Sequence, residues 1–467
     1  MANILNDRIF WKKALKIALP IAIQNALISS FSLVDTVFVS RLGDVSLSAV
    51  GMCSQWSFLM NLVIFGICSA TGVFVSQYWG IKDTKRIHKT FGIALTVGII
   101  VSFVFAAFAF FAPQLVIGMF NKDKAVIAEG SKYLVTISFL YPAFAVDDII
   151  NSVLRSCGKP RLPMISSAVT TAANVFLDYC LIFGKFGFPK MGVKGAALAT
   201  VISAWLGIIT VLSISFKQKN IIITKFSNVF RYSVSDVKVF FSKATPVILN
   251  ESLWGLGVFI CNLVFANMGY EYYAAISILK TLENLTFVFF VGLSAACSVL
   301  IGNSVGAGDI KRGIDDSKRF IIIVPIVSAI VGIVSIILRA PLVNLFDLGE
   351  NLSELTLSSA KTLILIYSIT MPSRMLGFIF IVGILRSGGN TFAAAKFDLS
   401  SIWLSSLPAV LISAYVLKLP FLVCFTVMYV FEDVLKLILC IPHYRSLKWI
   451  KPVTDEGKKA LEVFINE

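Results

Sequence analysis

Apolar stretches long enough to cross a membrane recur twelve times and constrain the fold of this chain more than any other feature. A helix needs roughly 20 apolar residues to cross the ~30 Å hydrocarbon core of a bilayer. The chain is 57% hydrophobic and only 14% charged, whereas soluble domains are about 25% charged. The sequence therefore predicts an all-α integral membrane protein with twelve transmembrane helices. We expect spans at 14–39, 46–78, 90–113, 132–154, 162–184, 192–216, 240–267, 272–302, 320–340, 358–385, 397–417 and 419–441.

The basic residues lie mainly between the apolar stretches, which argues against nucleic acid as the partner of this chain of net charge +15. An even number of spans puts both termini on one side of the membrane. Most of the 41 Lys and Arg residues lie on that same side. Cytoplasmic loops carry an excess of Lys and Arg, so we expect both termini in the cytoplasm and the chain in a bacterial inner (cytoplasmic) membrane.

The second half of the chain repeats the first. A shift of 226 residues aligns five pairs, and Leu154-Arg155-Ser156 aligns with Leu385-Arg386-Ser387 at a shift of 231. The five pairs are Pro20 with Pro246, Gly43 with Gly269, Gly66 with Gly292, Gly80 with Gly306, and Asp83 with Asp309. Because each half has six spans, the repeats run parallel about an axis along the membrane normal. The sequence predicts two pseudo-two-fold related lobes, 1–225 and 226–467.

Duplicated helix bundles of this kind bind solutes at the repeat interface and rock to alternate access. Pro20 and Pro246 lie inside equivalent first helices of the two halves. A proline in a helix removes a backbone hydrogen bond and kinks the helix. The pair predicts either a hinge or a static kink that the two lobes share.

Polar residues in the first half fall inside predicted spans. Acidic side chains within a membrane are costly, so each is a functional candidate by default. Asp35 lies about 30 Å along its helix, and Asn174 and Asp178 lie roughly 18 and 24 Å along theirs. With the Thr200 hydroxyl they predict one cation-coupling site, in which a carboxylate accepts a proton. In the sodium-coupled alternative, Asp35 and Asp178 are the metal ligands.

The second half carries further charges within its spans. Glu251 and Asn250 follow Pro246, and Asn250 aligns with Gln24 of the first half. They predict a second cation or substrate site, with a structural hydrogen-bond role as the alternative. Acidic and basic residues three or four positions apart predict two ion pairs, each within a single helix. Two other charged residues have no assigned role, and an ion pair between helices or between lobes is one option for them. The predicted pairs are Lys280 with Glu283 and Glu432 with Lys436, and the unassigned residues are Arg374 and Asp398.

The sequence lacks the patterns of an enzyme. The eight cysteines show no CxxC spacing, and the two histidines lie in predicted loops. We therefore expect no catalytic centre and no cofactor beyond H+ or Na+ as a coupling ion.

An ordered set of motifs resembles the multidrug and toxic compound extrusion (MATE) family over nearly the whole chain. The motifs are VDTVFVSRLGDVSLSAVG, GVFVSQYWGIKDTKRI, NVFLDYCLIFGKFGFPKMGVKGAALATVIS, GNSVGAGDIKRG and the paired LRSCGKP and LRSGGNT. The resemblance implies a twelve-helix rocker that exports organic cations and other amphipathic compounds against proton or sodium entry. It matches Asp35 to the family's first-helix aspartate, and Asn174 with Asp178 to its fifth-helix pair. It also matches Thr200, more loosely, to the sixth-helix hydroxyl, and Glu251 to the seventh-helix acid of one subgroup. That subgroup has a tenth-helix acid, where this chain has Met-Pro-Ser-Arg at 371–374.

These observations predict a multidrug antiporter of the cell membrane, a monomer whose partners are the lipid bilayer and amphipathic or cationic small molecules. A flippase for lipid-linked sugars has a similar two-lobed architecture and is the alternative. Such a flippase is expected to hold phosphates with several basic residues, and the basic residues that lie more than one helical turn inside a predicted span are Lys280, Arg374 and Lys436.

Overall fold

The computed structural model describes residues 7–120, 123–346 and 352–466, and helices make up most of this part of the chain. Up to Lys217 the described residues form eight α-helices, of which α4 is a short turn and α5 and α6 follow each other closely. They are α1 (Arg8–Ser40), α2 (Asp44–Gly80), α3 (Thr84–Phe111), α4 (Pro113–Gly118), α5 (Lys124–Ile137), α6 (Leu140–Ser156), α7 (Arg161–Phe183) and α8 (Val193–Lys217).

The rest of the described chain begins with a short helix and continues with long helices. Three wider π-helical segments interrupt it at Ile379–Leu385, Ser401–Ser406 and Ile412–Val416. The α-helices are α9 (Phe226–Val229), α10 (Val234–Met268), α11 (Tyr270–Gly306), α12 (Ile310–Phe346), α13 (Glu354–Phe378), α14 (Thr391–Ser400), α15 (Leu407–Leu411), α16 (Phe421–Arg445) and α17 (Asp455–Asn466).

The described helices account for each predicted span. Ten helical stretches are long and apolar enough to cross a membrane, and α5 and α6, bent by 48° at their junction, supply an eleventh. The twelfth predicted span corresponds to α16, which buries three charged residues and is therefore less apolar: Glu432, Asp433 and Lys436. Several helices begin before the predicted span; α12, for example, starts at Ile310 instead of 320. Its first turns are polar, so counting apolar residues finds only the part that can lie in lipid.

The predicted repeat is visible in the helix bounds. Helices α2 and α11 each contain 37 residues, and their ends are offset by the same 226 residues that align the sequences. Each is preceded by a glycine at positive φ, Gly43 and Gly269. Glycine adopts positive φ without the steric penalty of a side chain, so the duplicated glycine marks the same tight turn in both halves.

The same repeat fixes the start of the next helix. Asp83 accepts a hydrogen bond from the backbone N–H of Arg86 at 3.0 Å, and Asp309 accepts one from the N–H of Arg312 at 3.1 Å. An aspartate at this position satisfies one of the free N–H groups of the first turn. The aligned residues thus play the same capping role at α3 and α12.

Two compact units divide the chain, and the divisions fall inside α1 and α10. One unit runs from Leu19 to Ile248, and the other joins the chain up to Ala18 with the chain from Leu249 onward. Both divisions lie within a few residues of Pro20 and Pro246. The lobes predicted at 1–225 and 226–467 remain a prediction, since they divide the chain at the connection between α8 and α10.

The segment between α8 and α10 and the first turn of α10 pack on α3 within the first of these units. The Thr96 hydroxyl lies 2.7 Å from that of Tyr232, and Lys89 Nζ lies 3.0 Å from Asp236 Oδ2. Gly92 faces the Val229 carbonyl oxygen so closely that a side-chain carbon at Gly92 would overlap with it. The connection between α8 and α10 is therefore packed into the unit Leu19–Ile248.

Candidate functional site

A polar cluster lies between α7 and α8, where the sequence predicts the coupling site. Asn174 is fully buried, and its Nδ2 donates a hydrogen bond to Thr200 Oγ1 at 3.3 Å. The Thr200 hydroxyl donates in turn to the backbone carbonyl of Ala196 at 3.0 Å. Asn174 and Asp178 lie one turn apart on α7, so their side chains share a face of the helix. The structure brings Asn174 and Thr200 together, and the coupling role of the predicted site remains a prediction.

Asp178 is the most isolated carboxylate of this cluster. It is fully buried, and neither of its oxygens has a hydrogen-bond partner among the described residues. Asp35 on α1 is half-buried, and its Oδ1 also lacks such a partner within the described ranges. The charges of the two carboxylates are near enough to interact. The structure therefore brings Asp35 and Asp178 into one electrostatic environment.

Tyr133 on α5 belongs to the same environment, and sequence reasoning missed it. Its side chain is 7% exposed, and both Asp35 and Asp178 interact with it electrostatically. Its position inside a predicted span gave no signal, because a tyrosine there is equally typical of simple packing.

The oxygen atoms of this cluster determine what it can bind. Asp178 offers two oxygens, and Asn174 Oδ1 is a third buried oxygen without a hydrogen-bond partner in the described chain. A buried charge is costly unless it is paired or neutralised. A proton on a carboxylate or a small cation among these oxygens would remove that cost. The described residues include no group of three or more His, Cys, Asp or Glu side chains suited to a metal ion.

A second acidic cluster in the first half was also missed. On α6, Asn151 Nδ2 donates to Asp147 Oδ2 at 2.7 Å, and Arg155 Nε donates to the Asn151 carbonyl oxygen at 3.2 Å. Asp147 Oδ1 and Asn151 Oδ1 are buried without a hydrogen-bond partner among the described residues. The adjacent acids Asp147 and Asp148 within a predicted span were a signal in the sequence that our interpretation did not use.

In the second half, Asn250 belongs to a buried network of charges. Asn250 Nδ2 donates to Asp398 Oδ2 at 3.0 Å, while Asp398 Oδ1 lies 2.8 Å from Lys436 Nζ. Lys436 also binds Glu432 Oε1 at 3.0 Å, as the four-residue spacing predicts. Asp398, which the sequence left unassigned, therefore pairs with Lys436 of another helix.

Glu251 has its own ion pair. Its Oε1 lies 2.6 Å from Arg386 Nη2, and Arg386 is only 2% exposed. The carboxylate of Glu251, itself half-buried, is already compensated by this buried guanidinium, which favours the structural alternative for Glu251. Its predicted role as a cation or substrate site remains a prediction.

Glu283 and Lys280 do not form the predicted ion pair within the described structure. The Glu283 carboxylate accepts a hydrogen bond from the Tyr429 hydroxyl instead. Both side chains line a cavity of about 100 Å³ in the second half. Arg374 lines the same cavity, and its guanidinium carbon lies 3.9 Å from the centre of the Tyr429 ring. The remaining walls are largely apolar and aromatic.

Comparison with known proteins agrees with this architecture. The family model MatE matches residues 20–180 and 246–416, one match in each half of the chain. A probable multidrug resistance protein NorM from Thermotoga maritima is 27% identical over 448 residues, covering 94% of this chain and 93% of that protein. A probable multidrug resistance protein NorM from Listeria monocytogenes is 25% identical over 407 residues, covering 85% and 86%.

Solved structures share the fold. The crystal structure of the Vibrio cholerae MATE transporter VcmN in the bent form superposes with a TM-score of 0.84 at 19% identity, covering 95% of this chain and 99% of that one. The eukaryotic MATE transporter AtDTX14 gives a TM-score of 0.79 at 18% identity, covering 97% and 98%. The predicted fold class, twelve transmembrane helices in two lobes, is confirmed.

Proposed function

Because the chain belongs to the MatE family, whose members are membrane transporters and not enzymes, we propose that it is a secondary active antiporter. It exports organic cations or other amphipathic small molecules across the cell membrane in exchange for H+ or Na+. The multidrug resistance proteins among its relatives support this substrate class. Both termini lie in the cytoplasm, in keeping with the distribution of Lys and Arg, and the protein acts as a monomer.

The observation that carries the proposal is the state of Asp178. A fully buried carboxylate without a hydrogen-bond partner in the described chain is costly in an apolar interior. The cost falls when a proton or Na+ arrives, so the site has a reason to bind the coupling ion. Asp35 lies within electrostatic range, and Asn174 and Thr200 supply neutral oxygens beside it.

Coupling follows from the difference between the loaded and the empty site. From the outside, a proton or Na+ binds at Asp35 and Asp178. Neutralisation of this site rearranges α1, releases the substrate and allows the return to the inward-open state. A ligand shifts a conformational equilibrium only by its differential affinity for the two states. The removal of a buried charge supplies that difference, and Pro20 and Pro246 act as the hinges of α1 and α10.

The second-half residues have a separate role in this proposal. Glu251 and Asn250 are held by Arg386 and Asp398, so we assign the main coupling site to the first half. As a subsidiary proposal, Glu251 and Asn250 form a cation or substrate site in the second half. This division predicts that changes at Asp35 or Asp178 abolish coupling, whereas a change at Glu251 mainly alters stability or substrate binding.

The test is transport of ethidium, a fluorescent cation, into everted vesicles, which corresponds to export from the cell, under separately imposed proton and sodium gradients. Wild type, Asp35→Asn and Asp178→Asn are compared, with Asp315→Asn as a control, since Asp315 is an exposed residue paired with Lys318. Wild type and control should export, the two site variants should not, and the gradient that drives export identifies the ion. Unimpaired export by both site variants would overturn the assignment. Absence of export by wild type under either gradient would favour the flippase.

A further inference from the structure

The cavity in the second half contains an arginine whose charge has no hydrogen-bonded partner among the described residues. Arg374 Nη1 is buried without a hydrogen-bond partner, and Arg374 forms no ion pair within residues 7–120, 123–346 and 352–466. Its guanidinium rests on the face of the Tyr429 ring at 3.9 Å. A cation–π contact of this kind stabilises the charge only partly. An arginine has five N–H donors, so several of them remain available.

The acidic groups near Arg374 are bound by other donors. Glu432 accepts hydrogen bonds from Lys436 and from Trp254 Nε1, at 3.0 and 3.3 Å. Glu283 accepts one from the Tyr429 hydroxyl. Asp433 Oδ2 accepts one from the Ser373 hydroxyl at 3.2 Å, and it too interacts electrostatically with Arg374. These acids lower the electrostatic cost of the guanidinium without making a hydrogen bond to it.

Lys280 adds a second positive charge to the wall. Its side chain is exposed, and the ion pair predicted with Glu283 does not form in the described structure. The wall therefore presents the basic groups of Arg374 and Lys280 together with the carboxylates of Glu283 and Glu432, of which Glu432 is already paired with Lys436. Among these groups lie the apolar and aromatic side chains of Trp254, Phe425 and other residues.

We propose that this cavity binds the carboxylate of a zwitterionic amphipathic substrate. Arg374 and Lys280 hold the carboxylate, the Glu283 carboxylate faces the cationic part, and the aromatic wall contacts the apolar part. A cavity of about 100 Å³ has the volume of roughly three water molecules. The carboxylate and the groups next to it therefore enter the cavity, while the rest of the substrate extends outside the cavity. This inference rests on the proposed export function and adds to it a preference for compounds that carry both charges.

The competing explanation is that Arg374 only balances Glu283, Glu432 and Asp433. The two explanations differ in what a substitution does to different substrates. A structural counter-ion supports the fold equally for every substrate. A carboxylate-binding arginine matters only for substrates with a free carboxylate, and binding by Arg is typically bidentate for that group.

A matched pair of dyes separates these cases. Rhodamine B carries a free carboxylate and a delocalised cation, whereas in its ethyl ester the carboxylate is blocked and only the cation remains. Uptake of each dye into energised everted vesicles is measured for wild type, Arg374→Gln, Arg374→Lys and Lys280→Gln. Binding of each dye to the purified full-length protein is measured by equilibrium dialysis.

We expect wild type to bind rhodamine B more tightly than the ester. Loss of one charge-assisted contact of about 1.5–3 kcal/mol predicts roughly ten- to hundredfold weaker binding of rhodamine B by Arg374→Gln. The ester should change less than about twofold, Arg374→Lys should recover part of the loss, and Lys280→Gln should show a smaller selective loss.

Three results would overturn the inference. They are a wild-type protein without preference for the free carboxylate, an equal loss of both dyes in Arg374→Gln, and an unchanged rhodamine B affinity in that variant. If Arg374→Gln does not fold, Arg374→Lys and Lys280→Gln decide by the same criterion. Failure of wild type to transport either dye counts instead against the proposed export function, because binding selectivity is measured independently of transport.

Discussion

Lys436 shows how single residues stabilise the interior of the second half. Its ammonium lies 2.8 Å from Asp398 and 3.0 Å from Glu432, and its side chain is only 11% exposed. Removal of one partner from a buried ion pair typically costs about 3–5 kcal/mol, because an uncompensated charge is left behind. We predict that Lys436→Met destabilises the folded protein by about this amount, as a lowered midpoint of thermal unfolding in detergent.

Two comparisons make the Lys436 measurement specific. Lys318 pairs with Asp315 at 3.4 Å on an exposed face, and such pairs contribute at most about 1 kcal/mol. Lys318→Met should therefore leave the midpoint nearly unchanged, and Lys436→Arg should retain much of the wild-type stability. Equal midpoints for Lys436→Met and Lys318→Met would contradict the account.

At this scale the sequence predicted contacts along a helix better than contacts between helices. The spacing of Glu432 and Lys436 predicted their pair, which forms. The same reasoning was wrong for Lys280 and Glu283, because the Tyr429 hydroxyl, on a different helix, donates a hydrogen bond to the Glu283 carboxylate instead. Spacing along one helix cannot indicate which side chain a neighbouring helix presents. Asp398 remained unassigned in the sequence for the same reason.

At the scale of one element, α1 and α10 each continue through an internal proline. Proline lacks the N–H that would bond the carbonyl four residues earlier, which leaves a weak point in an otherwise regular helix. The compact units also divide at Ala18 and Ile248, close to Pro20 and Pro246. We predict that Pro246→Ala slows substrate export several-fold without lowering thermal stability, because the restored hydrogen bond stiffens α10.

A proline elsewhere in the fold tests the specificity of this effect. Pro325 lies inside α12, away from both divisions between the compact units. Initial export rates and unfolding midpoints of Pro246→Ala and Pro325→Ala should be compared at equal amounts of protein in the membrane. Equal export rates for wild type and Pro246→Ala would identify the kink as static.

The element bounds show what hydropathy can and cannot predict. Each predicted span overlaps a helix of the described structure, since long apolar segments must satisfy their backbone groups internally in lipid. The bend between α5 and α6 and the three π-helical segments were not predicted. They depend on local backbone geometry and packing, and the apolar residues around them look the same in sequence as those of a straight helix.

At the scale of the whole molecule, duplication is the property that the sequence predicted most firmly. The aligned tyrosines Tyr141 and Tyr367 both bind hydroxyl groups of the long helix of their own half, Ser57 at 3.1 Å and Thr286 at 2.9 Å. The two halves differ in whether their acidic side chains are paired with basic ones. The first half keeps isolated acids at Asp178 and Asp35, whereas the second half compensates its acids with arginine and lysine. One inherited framework thus supports two different chemical environments.

The distribution of Lys and Arg predicts the orientation of the duplicated framework, and this prediction can be tested directly. All eight cysteines are buried, so a membrane-impermeant maleimide should label an introduced exposed cysteine over a low background. The side chains of Lys13, Lys459 and Lys190 are exposed, and Lys190 lies in the loop between α7 and α8. With both termini cytoplasmic, Lys13→Cys and Lys459→Cys should be labelled in everted vesicles and protected in intact spheroplasts. Lys190→Cys should show the opposite pattern, and labelling of all three from the same side would overturn the predicted orientation.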